Sequence, residues 1–241
     1  HAQIEGASGN LGGRAAWTRR AADDVGTPRG NLPNTDYDQQ SSLMEIGYRS
    51  PSGIRIRGQY RYWENELGFF IPIQPDFRLY LGNDIGEIEA SAPSAWGEWR
   101  LSGNISRNTR RAFPAGRSQG AKVDLQLLTQ NYRASLQHKP AGPLRGWFQL
   151  EYTRQKNESF GPVTLLPYFQ NRTWAAAVFE EVRLIRSGTL DRFVLNLGLR
   201  YDNRRLDLPA NPGRGIPEHF RKSYAPMTGS VGAVYRFNRA L

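Results

Sequence analysis

The feature that most constrains the fold is an alternation of apolar and polar residues with a period of two. The clearest runs are residues 53–63, 95–106 and 193–202. In the last run, Leu197 belongs to the apolar set and Asn196 to the polar set. No stretch combines the i, i+3, i+4, i+7 spacing of an amphipathic helix with helix start and stop signals. Because successive side chains of a strand point to opposite faces of a sheet, the pattern predicts an all-β protein of antiparallel strands.

Weaker runs of the same kind bring the total to roughly ten to twelve strands. Pro, Gly and Asn cluster between the runs, as in connecting loops, and a tight hairpin turn is expected at residues 50–53. In residues 121–138 the apolar positions are odd-numbered up to Leu127 and even-numbered from Tyr132, so we expect a β-bulge near 128–130. No linker-like change of composition divides the chain, and residues 1–241 are expected to form one domain.

The length of the runs favours a transmembrane β-barrel or a segment of one. Runs of ~10 residues or more exceed the ~5–6 typical of soluble sheets and match the ~9–11 that cross a bilayer obliquely. The mean hydropathy of −0.62 and the lack of a long apolar run exclude a bundle of transmembrane helices. They do not exclude a barrel, whose lipid-facing residues alternate with polar ones. A soluble β-sandwich also alternates, so alternation alone leaves that fold open.

Aromatic residues make up 12% of the chain, and all six tryptophans lie in or at the ends of the predicted strands. Membrane barrels carry girdles of amphipathic aromatic side chains at both water interfaces. We therefore expect seven residues to form such girdles, namely Trp17, Trp63, Trp99, Trp147, Trp174, Tyr201 and Tyr235. A soluble sandwich would instead bury aromatic side chains in its core.

Basic residues outnumber acidic ones by 32 to 22, which gives a formal net charge of +10. They are not gathered in one run or on one helix face, so we expect no nucleic-acid partner. Five arginines on the polar faces of predicted strands are expected to line the lumen, namely Arg55, Arg57, Arg61, Arg100 and Arg200. These cations either attract anionic ligands or pair with carboxylates on neighbouring strands, namely Glu98, Asp124 or Asp202.

The composition argues against an enzyme or a metal site. The chain has no cysteine and three histidines far apart in sequence. Residues 116–120 satisfy G-x-S-x-G, but a strand pattern follows where that motif requires a helix. The glycine-rich residues 6–13 lack the Lys and Ser/Thr of a phosphate loop and are expected to bend a strand. We therefore expect no catalytic residue, no metal and no cofactor.

Several segments, taken in order, resemble the β-barrel of a TonB-dependent outer-membrane receptor. The most specific is the Leu-Gly-Leu-Arg-Tyr-Asp sequence at 197–202, which follows a matching segment at 165–181. The other segments are 27–36 with 47–48, 60–68 with 71–72, 123–125 with 130–132, and 224–226 with 232–238. Phe69 and Phe70 interrupt the turn that the family places after the second of these.

The resemblance implies energised import of a scarce solute, such as a ferric siderophore, a metal or a vitamin, across the bacterial outer membrane. In that family the ligand binds extracellular loops and a plug domain, and TonB then pulls on the plug. This chain would supply the barrel wall and loops, contact the lipid bilayer, and face the plug with its arginines.

The chain also departs from the family pattern, and these departures indicate a segment of such a barrel. Neither a plug domain, a Ton box nor a signal peptide is seen, and 241 residues cannot supply a 22-stranded barrel. We therefore expect a segment from the first half of such a barrel. The alternatives are a complete smaller barrel, a passive porin-like channel and a soluble β-sandwich binding protein.

Overall fold

The computed structural model describes residues 1–187, 190–212 and 216–235. These residues fold almost entirely into antiparallel β-structure, with a 3₁₀ turn at Arg117–Gln119. None of their helical structure is long and apolar enough to cross a membrane. The strands are β1 (Ala2–Ser8), β2 (Leu11–Ala22), β3 (Gly26–Thr27), β4 (Gly30–Asn31), β5 (Tyr37–Arg49), β6 (Arg55–Gly68), β7 (Arg78–Pro93), β8 (Gly97–Phe113), β9 (Val123–His138), β10 (Leu144–Ser159), β11 (Phe169–Ser187), β12 (Leu190–Leu208), β13 (Phe220–Tyr224) and β14 (Met227–Tyr235).

Twelve strands form one sheet in which neighbours in space are neighbours in sequence. The order runs β1-β2-β5-β6-β7-β8-β9-β10-β11-β12, and both β13 and β14 pair with β12, one after the other along its length. The remaining pair, β3 and β4, is a separate small hairpin. Among the described residues β1 is not paired with β14, so this sheet is open. The prediction of an all-β antiparallel architecture with roughly ten to twelve strands is confirmed.

The strand register assigns each residue to one of two faces, because directly paired residues point to the same side of a sheet. One continuous row joins Ile46, Gly58, Ile88, Gly103 and Tyr132 across five strands. We call the side that carries this row the apolar face. The opposite side carries Arg55, Arg57 and Arg61 of β6, and we call it the arginine face.

The apolar face is uncovered. Val123, Leu125, Ala175 and Val194 are the only buried apolar residues in the described part of the chain, whereas many large side chains such as Ile88 are well exposed. A soluble sandwich would pack a second sheet against this surface. The only other sheet among the described residues is the two-stranded hairpin. An apolar surface of this extent is the lipid-facing side of a membrane barrel.

The two edges of the sheet differ in the length of their connections. One edge, the turn edge, has short connections at 9–10, 50–54, 94–96 and 139–143. The other edge, the loop edge, has longer connections at 23–36, 69–77, 114–122 and 160–168. Outer-membrane barrels place short turns on the periplasmic side and longer loops outside the cell. The loop edge is therefore the extracellular side of the sheet.

The expected β-bulge near residues 128–130 is wrong. The pairing of β9 with both neighbours runs without a shift through Leu128 and Thr129. Val123 and Leu125 lie on the arginine face near the loop edge, where they are buried, while Tyr132 lies on the apolar face. The change of phase therefore reflects a change of surroundings along a regular strand. Register shifts are instead found between β11 and β12, where Arg183–Arg186 pairs with β12.

Two glycine-containing turns sit on the turn edge. Gly53, with φ 87°, belongs to the predicted turn between β5 and β6, where Ser50 O accepts from Gly53 N at 3.1 Å. Gly9, with φ 57°, makes the turn between β1 and β2. The glycine-rich residues 6–13 therefore form a hairpin, not the bent single strand that the sequence predicts.

Candidate functional site

The arginine face of β6 carries three of the five predicted lumen residues. Arg57 Nη2 lies 3.0 Å from Glu89 Oε2 and 3.5 Å from Glu87 Oε1, both on β7. Arg61 Nη2 lies 3.6 Å from Glu87 Oε2. Arg55 has no carboxylate within ion-pair distance in the described part of the chain. The β7 glutamates thus hold two of the three β6 arginines.

Arg100 of β8 extends this network by one strand. Its guanidinium lies 3.8 Å from Glu89 and 3.3 Å from Glu98. Glu89 therefore bridges Arg57 and Arg100 across β6, β7 and β8. The structure brings these arginines together as one alternating chain of cations and anions.

Arg200 belongs to a second network on the same face. It forms ion pairs with Asp202 at 2.7 Å and with Glu151 of β10 at 3.8 Å. Arg133 of β9 lies 3.7 Å from the same oxygen, Glu151 Oε2. Asn131 also donates to Glu151, at 3.2 Å. The Glu151 carboxylate of β10 therefore links β9 and β12, which lie on opposite sides of β10.

The first network is open to solvent, whereas the second is partly buried, with Arg200 38% and Glu151 18% exposed. The side chains of Arg57, Arg61 and Arg100 are 45%, 49% and 56% exposed. Exposed pairs of this kind contribute roughly 0–1 kcal/mol each to stability. The arginine face can therefore exchange its partners for charges on a body that faces it, at little energetic cost.

The carboxylates named from the sequence are indeed partners of arginines. Glu98 and Asp202 pair with Arg100 and Arg200, but each is two residues away on the same strand, not on a neighbouring strand. Asp124 pairs with Arg111 at 3.2 Å, across β8 and β9. That pair lies on the apolar side near the loop edge, outside both networks.

The seven predicted interface aromatics divide between the two faces. Five lie on the apolar face, namely Trp17, Trp99, Trp174, Tyr201 and Tyr235. Trp63 is paired with Ser41 and Asn83 on the arginine face. Trp147 is on that face too and stacks on Phe179, with ring centroids 6.1 Å apart. These two tryptophans therefore do not lie on the lipid-facing side, whereas the other five remain predicted girdle residues.

A polar cluster at the loop edge is not predicted by any pattern in the sequence. Arg78 of β7 binds both oxygens of Asp36, at 2.6 and 3.1 Å, and donates to Glu66 at 2.9 Å. Arg117 also binds Glu66. The cluster therefore ties together three extracellular connections. The Arg78 hydrogen bond holds the pKa of Asp36 below its ordinary value, against partial burial, which raises it.

Asn34 completes this loop-edge cluster. It adopts a positive φ of 55°, which asparagine tolerates better than most residues. Its amide Nδ2 donates to the backbone oxygens of Phe69 and Phe77 at 3.0 and 2.7 Å. The loop between β6 and β7 is therefore closed at its base by a residue from another loop. The only sequence signal was the segment 27–36, which contributes to the family resemblance.

No arrangement in the described residues suggests metal chemistry. No group of three or more His, Asp or Glu side chains there could hold a metal ion. The G-x-S-x-G segment lies in the loop after β8, with a 3₁₀ turn at Arg117–Gln119 and β9 following it. It therefore lacks the strand-to-helix elbow that a serine nucleophile needs.

The sheet has the features of the wall of an outer-membrane β-barrel. These are long antiparallel strands, a lipid-facing apolar side, a charged opposite side and longer loops on one edge. The family model described as TonB dependent receptor-like, beta-barrel, matches residues 3–241. The chain belongs to this family, and its location is the bacterial outer membrane. A search of curated proteins found no match.

Solved structures share the fold at low sequence identity. The FrpB iron transporter from Neisseria meningitidis (F3-3 variant) matches with a TM-score of 0.75 and 13% identity, over 98% of this chain and 41% of that one. The ferric-catecholate import receptor Fiu from E. coli K12 (open form) matches with a TM-score of 0.72 and 13% identity, over 98% of this chain and 50% of that one. The copper transporter OprC matches with a TM-score of 0.70 and 9% identity, over 95% and 39%. The chain thus spans 39% to 50% of the length of these proteins.

Proposed function

We propose that this chain forms part of the wall and loops of a receptor that imports a scarce solute across the outer membrane with energy delivered by TonB. The observation that carries the proposal is the family match over residues 3–241. The similar structures are named as an iron transporter, a ferric-catecholate import receptor and a copper transporter, which supports a metal or its chelate as cargo. Residues 1–241 would contribute barrel wall only, with the plug supplied by another part of the receptor.

The arginine face suits a wall that surrounds a plug. Its arginines alternate with glutamates, so it offers charges of both signs in fixed positions. A plug that carries complementary charges would exchange these exposed pairs for pairs across the gap. The five arginines would thus position the plug, and the loops above them would meet the ligand first.

Uptake by cells tests the transport proposal directly. A strain that lacks the receptor and a strain that carries it are compared for uptake of radiolabelled iron presented as different ferric siderophores, and of copper, with and without a protonophore. The proposal predicts uptake of at least one cargo that requires both the receptor and the proton gradient. A passive porin-like channel would give uptake that survives the protonophore, and that result would refute the TonB-dependent mechanism.

A second experiment addresses the arginine face. In the complete receptor, Arg57→Glu should weaken retention of the plug, measured as a larger open-channel conductance in planar bilayers. Arg111→Gln is the matched control, because Arg111 lies on the apolar side of the sheet and pairs with Asp124 there. Equal conductance of the unchanged receptor, Arg57→Glu and Arg111→Gln would show that the arginines are solvated residues of the barrel wall with no role in holding the plug.

A further inference from the structure

Three arginines form a row on the apolar side of the sheet, close to the loop edge. Arg154 of β10 is paired directly with Arg172 of β11, and Arg172 is paired directly with Arg205 of β12. Side chains at paired positions have Cβ atoms about 5 Å apart, and like charges at such positions repel each other. This arginine row therefore requires a source of negative charge.

The described part of the chain does not supply enough of it. No carboxylate there lies within ion-pair distance of Arg154 or Arg172, and Arg172 donates only to the neutral amide of Gln170, at 2.9 Å. Arg205 reaches Asp207 at 3.3 Å, but Asp207 also pairs with Arg221 at 2.7 Å. Arg172 is exposed, the Arg205 side chain is 44% exposed and Arg154 is half-buried, so the row is accessible on the apolar side of the sheet.

The row lies directly above an aromatic shelf. On the same side, the next positions toward the turn edge are Tyr152 below Arg154 and Trp174 below Arg172, and Tyr132 is paired with Tyr152 on the neighbouring strand β9. The position below Arg205 is Asn203, so the shelf underlies two of the three arginines. The rings of Tyr152 and Trp174 are 4.4 Å apart between centroids, and those of Tyr132 and Tyr152 are 6.4 Å apart. Tyr and Trp side chains in membrane proteins mark the level of the lipid headgroups. The arginine row therefore stands at the height of the headgroups of the extracellular leaflet.

We propose that the arginine row binds the phosphate groups of an anionic outer-leaflet lipid. Guanidinium groups bind phosphate through paired charge-assisted hydrogen bonds, and adjacent guanidinium groups suit a headgroup with more than one phosphate. The sugar or glycerol part of the headgroup would rest on the aromatic shelf, while the acyl chains continue down the apolar face. The bound lipid also relieves the repulsion within the row.

A lipid fits this surface better than a soluble partner does. The charged row and the apolar band below it are continuous on one side of the sheet, and only an amphipathic anion matches both. A free phosphate ion would match the charges alone. If the ligand is a lipid, its binding should depend on both the phosphates and the acyl chains.

The test uses the complete receptor, delipidated in detergent, and native mass spectrometry. The probes are bisphosphorylated lipid A, the same lipid without phosphates, and inorganic phosphate as a competitor. The variant R154Q/R172Q removes two charges from the row. The control R133Q/R204Q removes two charges from the same region of the sheet on the arginine face.

The proposal predicts that R154Q/R172Q binds bisphosphorylated lipid A at least about tenfold more weakly than the unchanged receptor, while R133Q/R204Q stays within about twofold. The lipid without phosphates should bind weakly to all three proteins, and inorganic phosphate at the lipid's concentration should not displace the lipid. Equal binding by the two variants, indifference to the phosphates, or displacement by inorganic phosphate would each overturn the proposal. If the double variant does not fold, the single variant R172Q, at an exposed position, takes its place and R133Q is its control. The loss of affinity for bisphosphorylated lipid A is then expected to be smaller.

Discussion

Replacing Leu199 by arginine tests the assignment of the two faces. Leu199 is on the apolar side of β12, 45% exposed, and is paired with Val178 and Gly229. It lies two residues from Tyr201, a predicted girdle residue, about 7 Å along the strand and roughly 5 Å in depth at a tilt of about 45°. The apolar band of a barrel is about 25 Å tall, so Leu199 sits about halfway from the girdle to the midplane.

The depth of Leu199 sets the expected cost. Arginine on the lipid side costs about 2–4 kcal/mol at the midplane and less near the interfaces, so Leu199→Arg should cost about 2 kcal/mol, or roughly 30-fold in the folding equilibrium. Leu197 is closer to the midplane, but it is paired with Glu180, which would partly neutralise a new arginine. Leu199→Arg is therefore the cleaner substitution.

The matched control is Asn196→Arg. Asn196 lies on the arginine face of the same strand, paired with Glu181, so a new cation there should change stability by less than about 0.5 kcal/mol. The assay is urea unfolding of the complete receptor in lipid vesicles, followed by heat-modifiable gel migration. Equal destabilisation by the two substitutions, or a larger effect of Asn196→Arg, would refute the assignment of the faces.

Three further predictions follow from the described contacts. Arg57→Glu adds a third carboxylate beside two glutamates, so an open lumen should lose anion preference, read from the single-channel reversal potential across a salt gradient; an unchanged potential would contradict it. Because Arg78 lowers the pKa of Asp36, its stabilisation is present above the ordinary aspartate pKa and is lost as the pH falls through the lowered value. Protease cleavage of the extracellular loops should therefore rise in that acidic range, and Arg78→Gln should give fast cleavage at neutral pH as well. Gly146→Ala would place a Cβ against a backbone oxygen of β11 and should destabilise the barrel by about 1–3 kcal/mol, whereas Gly229→Ala, whose nearest neighbour is 3.6 Å away, should have little effect on the urea midpoint.

The alternation in the sequence was enough to predict the sheet and most of its faces. A strand between a lipid phase and a charged lumen must change polarity at every residue, so Leu197 and Asn196 could be assigned to opposite sides without any tertiary information. The pairing of Arg100 with Glu98 could also have been predicted from the alternation, since residues two apart in a strand share a face. Local pattern predicts local geometry well in such a fold.

The rest depended on information that no local pattern carries. Trp63 and Trp147 lie in strands, as expected, but strand membership does not tell which side of the sheet an amphipathic ring occupies. The phase change around Leu127 resembled a bulge because a bulge is expected only if the same face of a strand is apolar along its whole length. In β9 the apolar residues change from one face to the other while the pairing stays regular. The contact of Arg78 with Asp36 joins residues 42 apart, which only the folded loops bring together.

The division between the two sides of the sheet explains how one wall fold accommodates different cargo. The sheet is held by backbone hydrogen bonds between neighbouring strands, and these bonds do not depend on side-chain identity. The apolar side needs only lipid-compatible residues, and the exposed ion pairs of the arginine face contribute little stability. Proteins named for iron, ferric catecholates and copper share this fold at 13%, 13% and 9% identity with the present chain. Substitutions on the arginine face and in the loops can therefore change the charges that these surfaces present while the wall itself stays folded.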